Sequence, residues 1–159
     1  MSDLVDTAAG LAADSPVALL RWQREAFVRY TQGSHDVLIT PADPGGLSLI
    51  ERAAAALRVA AIGRDNALTA HYRALLRALG ADPDALDAPD VPPRLAAILR
   101  HVTLIATAPG TVTPANLDAL RIAGAGPRDI VAIAQIVAFV SYQVRLVAGM
   151  RALAADLHA

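Results

Sequence analysis

The sequence predicts an all-α fold. Apolar residues recur at helical spacing along almost the whole chain, and no segment shows the sustained alternation of apolar and polar residues that is typical of strands. Helix-start signals interrupt this pattern, because a capping residue directly precedes proline at Ser15 and Pro16 and again at Thr113 and Pro114. The composition agrees, since 55% of the 159 residues are hydrophobic and only 4% are aromatic, which leaves mainly small and aliphatic side chains.

The N-terminal region, residues 1–45, is predicted to contain helices followed by a loop. A helix begins at Pro16 and stops near Gly33, and a segment rich in proline and glycine follows at residues 40–46. The apolar residues of this helix, of which we expect Trp22 and Phe27 to lie in the core or an interface, are Leu19, Leu20, Trp22, Phe27 and Tyr30.

The core region, residues 46–159, begins with a predicted helical hairpin. Ser48 and Glu51 have the spacing of a capping box, and the helix that follows, at about residues 49–62, is apolar nearly all round. Such a helix is usually buried at the centre of a bundle. A short turn at residues 63–65 leads to an amphipathic helix that ends at Gly80, with one face formed by Leu68, Tyr72, Leu75, Leu76 and Leu79.

Three further helices are predicted after an acidic linker at residues 81–90. The first starts at Pro92 or Pro93, the second runs from Pro114 to Ala123, and the third begins near Pro127 and continues past residue 150. The third helix has two apolar stripes, so we expect it to pack on its own core and on a second subunit of a homo-oligomer, a dimer or higher. One stripe comprises Ile130, Val137, Val140, Val144 and Val147, and the other comprises Ile136, Phe139, Leu146, Met150 and Leu153.

Composition and charge argue against several classes of protein. The net charge is −1 and no positive cluster is visible, so we expect no nucleic-acid binding. The longest strongly apolar run, residues 130–144, is shorter than the roughly 20 residues that cross a membrane. The first residues lack the features of a secretory signal, which favours a cytoplasmic location. The length predicts a single domain over residues 1–159.

Two segments resemble the alkylhydroperoxidase D / carboxymuconolactone decarboxylase superfamily. In the first, residues 51–61 read Glu-Arg-x4-Leu-Arg-Val-Ala-Ala and lead into a turn and a histidine, His71. The second, residues 120–149, is similar to the family's long "AGLSDREIVELAQ" helix and its continuation. Together they cover about residues 43–150 in the family's order and spacing. The resemblance implies an alkylhydroperoxidase D-like helical bundle with a central helical hairpin.

The resemblance also implies which positions would carry the family's chemistry. Members with the full motif have Cys-x-x-Cys in the turn and are thiol peroxidases or disulfide reductases. Here the two cysteine positions fall on Arg64 and Ala67, and the family's histidine corresponds to His71. The chain contains no cysteine, which excludes thiol redox chemistry of its own.

A relay glutamate accompanies the thiols in the family. By count this position falls on Arg52, or on Ala53 if the helices are aligned, while Glu51 faces elsewhere on the helix. Family members that decarboxylate or isomerise lactones use general acid–base groups instead of thiols. Two functions therefore stay open: cofactor-free acid–base chemistry on, or binding of, a small carbonyl or lactone ligand near His71, and a non-catalytic structural or interaction module that partners a cysteine-bearing relative.

Few polar residues could line such a pocket. His71 lies at the rim of an apolar helix face, where it either bonds to a neighbouring carbonyl or serves a site. Gln135, Tyr142 and Arg145 form a narrow polar stripe on the last helix, which either bonds to other helices or lines a pocket with His71. Tyr72, beside His71, is a further pocket candidate.

The other histidines are interpreted as structural or peripheral. His101 is expected to be structural, His35 to lie in a loop and His158 in the tail. No pair of histidines has metal-ligand spacing on one helix, so neither a metal nor another cofactor is predicted.

Overall fold

The computed structural model describes residues 3–157, so His158 lies outside the described residues. Over these residues the chain forms eight α-helices and no strand, which confirms the predicted all-α fold. Short 3₁₀ helices, Pro83–Asp87 and Pro109–Thr111, lie in the connections before and after the sixth α-helix. The α-helices are α1 (Leu4–Ala9), α2 (Pro16–Trp22), α3 (Glu25–Ile39), α4 (Leu49–Ile62), α5 (Asn66–Ala78), α6 (Pro93–Thr107), α7 (Pro114–Ile122) and α8 (Pro127–Asp156).

Helix α4 lies at the centre of the bundle and packs against α3, α5, α6 and α8. The four alanines at residues 53–56 are fully buried, as expected of a helix that is apolar on all sides. The predicted capping box is present, because the Ser48 side chain accepts from the N–H of Glu51 and the Glu51 carboxylate accepts from the N–H of Ser48. The predicted hairpin of α4 and α5 is therefore confirmed.

The turn between α4 and α5 approaches α8 closely at Gly63. A Cβ atom at this position would lie 2.8 Å from Cγ1 of Val144 on α8. Valine has little freedom to move aside, because two heavy atoms on its Cβ restrict its rotamer. The hairpin can rest on α8 because residue 63 has no side chain.

The N-terminal region corrects the prediction of one helix from Pro16 to Gly33. The chain leaves helical geometry at Arg24, so that α2 and α3 are separate helices, and α3 then continues through Gly33. Glycine inside a helix costs about 0.5–1 kcal/mol, but α3 buries one stripe against the core. Its end before Pro41 follows from the clash that proline creates with a preceding helical residue. The buried stripe comprises Val28, Thr31, His35 and Ile39.

Buried ion pairs attach α1, which the sequence did not indicate, to α2. The guanidinium of Arg21 donates to both carboxylate oxygens of Asp3 and to Oδ1 of Asp6, each at 2.7 Å. The indole N–H of Trp22 donates to Oδ2 of Asp6 at 2.9 Å. Phe27, by contrast, is 64% exposed on α3 and does not belong to the core of the chain.

Helix α8 is long and apolar enough, by length and composition alone, to cross a membrane. In its most apolar window 44% of the residues are buried, because α8 packs against α1, α2, α3, α4 and α6. One such helix by itself does not indicate a membrane protein. Of the second stripe, Ile136 and Phe139 are buried by the chain itself, and Leu146, Met150 and Leu153 are half-buried.

The close approach at residue 63 can be tested by replacing Gly63 with alanine. We expect Gly63→Ala to lower the free energy of unfolding by about 1–3 kcal/mol, the usual cost of overpacking. Gly149→Ala is the matched control, because no atom lies within 4 Å of a Cβ at this position in α8. It should stabilise the protein by about 0.5–1 kcal/mol. Urea denaturation measures both, and equal effects of the two variants would contradict the proposed contact.

Candidate functional site

In the turn between α4 and α5, the two positions that correspond to the family's thiols hold other residues. Arg64 is exposed and has a φ of 56°, a left-handed conformation that is uncommon for residues other than glycine. Ala67 is half-buried in the first turn of α5. The N-terminus of α5 is capped by buried Asp65, whose carboxylate accepts from the N–H of Leu68 at 2.8 Å and from Arg151 at 2.6 Å. The positive end of the helix dipole therefore already has an anionic partner.

Arg52, one of the two residues on which the position of the relay glutamate can fall, has a structural role. It is buried, and its guanidinium donates to three backbone carbonyls: Leu47 at 2.9 Å, Leu38 at 2.7 Å and Pro44 at 2.9 Å. Burial, reinforced by repulsion from Arg128, lowers the pKa of Arg52 below its ordinary value. All three bonds go to the end of α3 and the loop after it, so this side chain fixes the connection between α3 and α4.

Glu51 is also engaged away from the hairpin turn. One carboxylate oxygen caps α4 through Ser48, and the other accepts from Nε of Arg94 on α6 at 2.6 Å. Arg94 in turn lies 3.7 Å from the carboxylate of Asp129 at the start of α8 and donates to the carbonyl of Gly46. Glu51, through Arg94, therefore joins the N-terminal ends of α4, α6 and α8.

His71 lies half-buried on α5 and contacts a second histidine. Its Nε2 lies 3.4 Å from Nε2 of His35 on α3, and the two ring centroids are 5.5 Å apart. Burial, together with repulsion from His35, lowers the pKa of His71 below its ordinary value. At neutral pH His71 is thus an uncharged imidazole, which can accept or donate a proton.

His35 was missed, because the prediction that it lies in a loop is wrong. It is a buried residue of α3, and its Nδ1 lies 3.1 Å from Oδ1 of exposed Asp36. The signal in the sequence was the spacing of Val28, Thr31, His35 and Ile39, which fits one face of a helix that continues past Gly33.

The two contacts allow one ordered arrangement of the histidines. Because a carboxylate only accepts, Nδ1 of His35 is the donor to Asp36. With a single hydrogen on the His35 ring, Nε2 of His35 would accept from Nε2 of His71, and Nδ1 of His71 would be left as the basic nitrogen of the pair. The three side chains form a chain of hydrogen bonds from α5 to the surface of α3.

Tyr72, which lies next to both histidine rings, is hydrogen-bonded to Gln143 in the core. Both are buried, and the Tyr72 hydroxyl donates to the side-chain oxygen of Gln143 on α8. Burial raises the pKa of Tyr72, although the bond to Gln143 opposes this shift. The Tyr72 ring lies 5.0 Å from the ring of His71 and 6.2 Å from that of His35. Of the predicted pocket residues, Tyr72 is the one that contacts His71.

The predicted polar stripe of α8 lies on its exposed side, away from Gln143. Gln135 and Arg145 are exposed, and Arg145 donates to the carbonyl of Ser141 at 3.0 Å. The Tyr142 hydroxyl lies 3.3 Å from Oγ1 of Thr31 on α3. Tyr142 lines a cavity of about 410 Å³, whereas Arg145 lines a separate cavity of about 200 Å³. His71 lines neither of these two cavities. Gln135 and Tyr142 share a groove of about 630 Å³ between α3 and α8.

The remaining titratable groups do not extend the site. His101 is buried on α6, its pKa is lowered by burial, and its Nδ1 has no hydrogen-bond partner among the described residues. Within residues 3–157, no group of three or more histidine or acidic side chains is arranged to hold a metal ion.

Among known proteins, the chain has a similar fold in a solved structure, but no match to a family model or a curated sequence. No protein-family model and no curated protein matches the sequence. Among solved structures, the chain is similar to an uncharacterized peroxidase-related protein from Silicibacter sp. TM1040, with a TM-score of 0.71 and 20% identity, over 80% of this chain and 69% of that chain. The all-α bundle is thus a fold shared with a peroxidase-related protein.

The role of Arg52 gives a prediction about stability. We expect Arg52→Met to lower the free energy of unfolding by about 2–4 kcal/mol, because three carbonyls lose a charged donor. Arg58→Met is the matched control on the same helix, since Arg58 pairs with exposed Asp87 and such surface pairs contribute about 0–1 kcal/mol. Urea denaturation of both variants checks this, and a loss at Arg52 no larger than at Arg58 would contradict it.

The histidine pair gives a prediction about pH. Since the pKa of His71 is lower in the folded chain, the unfolded chain binds the proton first, at about pH 6.5. The contribution of His71 to stability is therefore complete above this pH and declines as the pH falls below it. His35→Gln should raise the pKa of His71 partway towards its ordinary value, because repulsion is removed and burial is not.

Nuclear magnetic resonance titration of ¹⁵N-labelled histidines measures these pKa values directly. His101→Gln is the control, because His101 lies on α6 and contributes nothing to the pKa shift of His71. A pKa of His71 at or above its ordinary value in the unmodified protein would show that the ring is neither buried nor coupled to His35.

Proposed function

We propose that this protein is a divergent, cysteine-free member of the alkylhydroperoxidase D-like superfamily, in which a histidine pair provides acid–base chemistry for a small carbonyl or lactone compound. Two independent observations support the placement: the sequence resemblance over residues 43–150 and the shared fold with a peroxidase-related protein. Thiol chemistry is excluded because both cysteine positions, Arg64 and Ala67, hold other residues.

The contact between His35 and His71 is the observation that carries this proposal. It joins α3 and α5 at the histidine that the resemblance marks as functional. Nδ1 of His71 is the base, because Nε2 is engaged with His35. The contacts continue from His71 through the His35 ring to Asp36, whose side chain is 59% exposed. The pair can thus remove a proton next to a carbonyl group, which leaves an enolate, and the protonated His71 can return the proton to another atom of the enolate to give an isomer.

The second candidate function is a structural or interaction module without catalysis, paired with a cysteine-bearing relative. Two observations favour it. Arg52 and Glu51, which occupy or neighbour the position of the relay glutamate, bond to backbone and to other helices instead. The Tyr72 hydroxyl already donates to the side-chain oxygen of Gln143 in the core, so this hydroxyl needs no ligand. In this function the histidine pair would be a polar contact that orients α3 on α5.

Exposure of the protein to a panel of small γ-lactones and β-keto acids separates the two functions. Acid–base chemistry predicts turnover, or a saturable shift of the His71 resonances, with at least one compound. His71→Gln and His35→Gln should reduce the turnover by at least about tenfold, within the range of general-base contributions. His101→Gln should leave it unchanged. Peroxide turnover with dithiols should stay at the buffer level in every variant, because no cysteine can be oxidised.

An absence of both turnover and His71 shifts across the panel would favour the structural module. So would turnover that persists in His71→Gln, because the activity would then arise elsewhere. Thermal unfolding of each variant shows whether a lost activity reflects a lost fold.

We also propose that the protein forms a homo-oligomer, a dimer or higher, in which α8 and the outer face of α3 meet a second copy. Tyr30 and Val37 on α3 are 72% and 66% exposed, and Val131 on α8 is 57% exposed. Tyr30 and Val37 border the groove between α3 and α8. Burial of each large apolar side chain in an interface would stabilise the assembly by roughly 1.5–3 kcal/mol. A symmetric contact would bury the same residues from both chains.

Light scattering at micromolar concentration tests this assembly. We expect a mass of at least twice 16.5 kDa for the unmodified chain, and dissociation when both Tyr30 and Val37 are replaced by aspartate. Ile122→Asp is the control, because Ile122 is 88% exposed on α7, outside the groove. A monomeric mass for the unmodified protein would contradict the proposal.

A further inference from the structure

The cavity between α2, the start of α3 and the C-terminal half of α8 has no part in the proposed acid–base site. Its volume of about 410 Å³ falls in the range of small-molecule sites. We propose that this cavity binds a medium-chain aliphatic carboxylic acid, with the carboxylate at Arg24 and the alkyl chain between α2, α3 and α8.

The walls of the cavity suit an unbranched alkyl chain. Helix α8 contributes Leu146, Met150 and Leu153, which are half-buried and spaced to lie on one helix face. Methionine adapts its shape readily, which favours a flexible ligand over a rigid ring system. The facing apolar residues from α2 and α3 are Val17, Leu20, Phe27 and Val28.

The charges at the cavity favour an anionic head group. No acidic residue lines the cavity, whereas two arginines do. The guanidinium of Arg21 is already bound to Asp3 and Asp6. Arg24 is exposed, and no carboxylate within residues 3–157 forms an ion pair with it. A ligand carboxylate would supply the planar, two-oxygen partner that a guanidinium binds best.

The distance between the two ends of the cavity indicates the length of the alkyl chain that it can hold. Arg24 directly precedes α3, and Thr31 lines the cavity seven residues further along. Seven residues of helix span about 10 Å, the length of an extended chain of about eight to ten carbons. At the Thr31 end, Oγ1 of Thr31 donates to the carbonyl of Phe27 and so accepts from the Tyr142 hydroxyl. This end is satisfied without a charged group, so the head group belongs at Arg24.

The test uses the full chain with decanoate, 1-decanol and decylamine as probes, each below its aggregation concentration, and isothermal titration calorimetry. We expect saturable binding of one decanoate per chain and at least tenfold weaker binding of decylamine. The Arg24→Gln variant should bind decanoate at least tenfold more weakly and bind 1-decanol with unchanged affinity. Arg29→Gln is the matched control, because Arg29 lies on α3, outside the cavity, and contacts Glu25 on the surface. It should leave decanoate binding unchanged.

Filling the cavity tests its location. Leu146→Trp should abolish binding of both decanoate and 1-decanol while the midpoint of thermal unfolding changes by only a few degrees. If this variant does not fold, Leu153→Trp makes the same test nearer the end of α8. His71→Gln should bind decanoate like the unmodified chain, which separates this site from the acid–base site.

Four results would overturn the proposal. They are the absence of saturable decanoate binding, equal losses in Arg24→Gln and Arg29→Gln, undiminished binding in a folded tryptophan variant, and tighter binding of decylamine than of decanoate. Loss of binding as the protein self-associates would assign the cavity to a second copy of the chain and overturn it as well.

Discussion

The guanidinium of Arg52 binds three carbonyls at the end of α3 and in the loop after it, and the placement of α3 depends on this contact. The last carbonyls of a helix have no partner within the helix, and a cation is the partner that the helix dipole favours there. Arg52 provides this partner from the first turn of α4, where its own side chain is buried. His35 lies one turn before Leu38, so the contact that holds the end of α3 also holds His35 against His71.

Several contacts in the hairpin of α4 and α5 occupy the positions that thiol chemistry would require. A thiol site needs an exposed nucleophile, a helix N-terminus that stabilises its anion and a carboxylate that relays protons. Here Asp65 and Arg151 occupy the helix N-terminus, and the position of the carboxylate falls on Arg52, a cation bound to backbone, or on buried Ala53. The imidazole of His71, whose pKa is lowered by burial, lies on α5 behind the turn and contacts the imidazole of His35.

The sequence predicted those parts of the fold that local signals determine. Capping residues and prolines mark the starts of α4, α7 and α8, and the apolar face of α5 follows from its periodicity. The break at Arg24 and the passage of α3 through Gly33 depend on burial against distant helices, which local propensity does not contain. Of the four residues of the proposed site, the sequence named His71 and Tyr72. It did not name His35 and Gln143, because their contacts are with residues 36 and 71 positions away.

Proton–proton Overhauser contacts among the rings of His35, His71 and Tyr72 test this account most directly. The ring centroids lie 5.0–6.2 Å apart, so all three pairs should give cross-peaks in the unmodified protein. In folded Arg52→Met the cross-peaks of His35 should weaken or vanish, while the His71–Tyr72 cross-peak within α5 persists as an internal reference. Absence of the His35–His71 cross-peak from the unmodified protein would contradict the site, and its full retention in Arg52→Met would contradict the role given to Arg52.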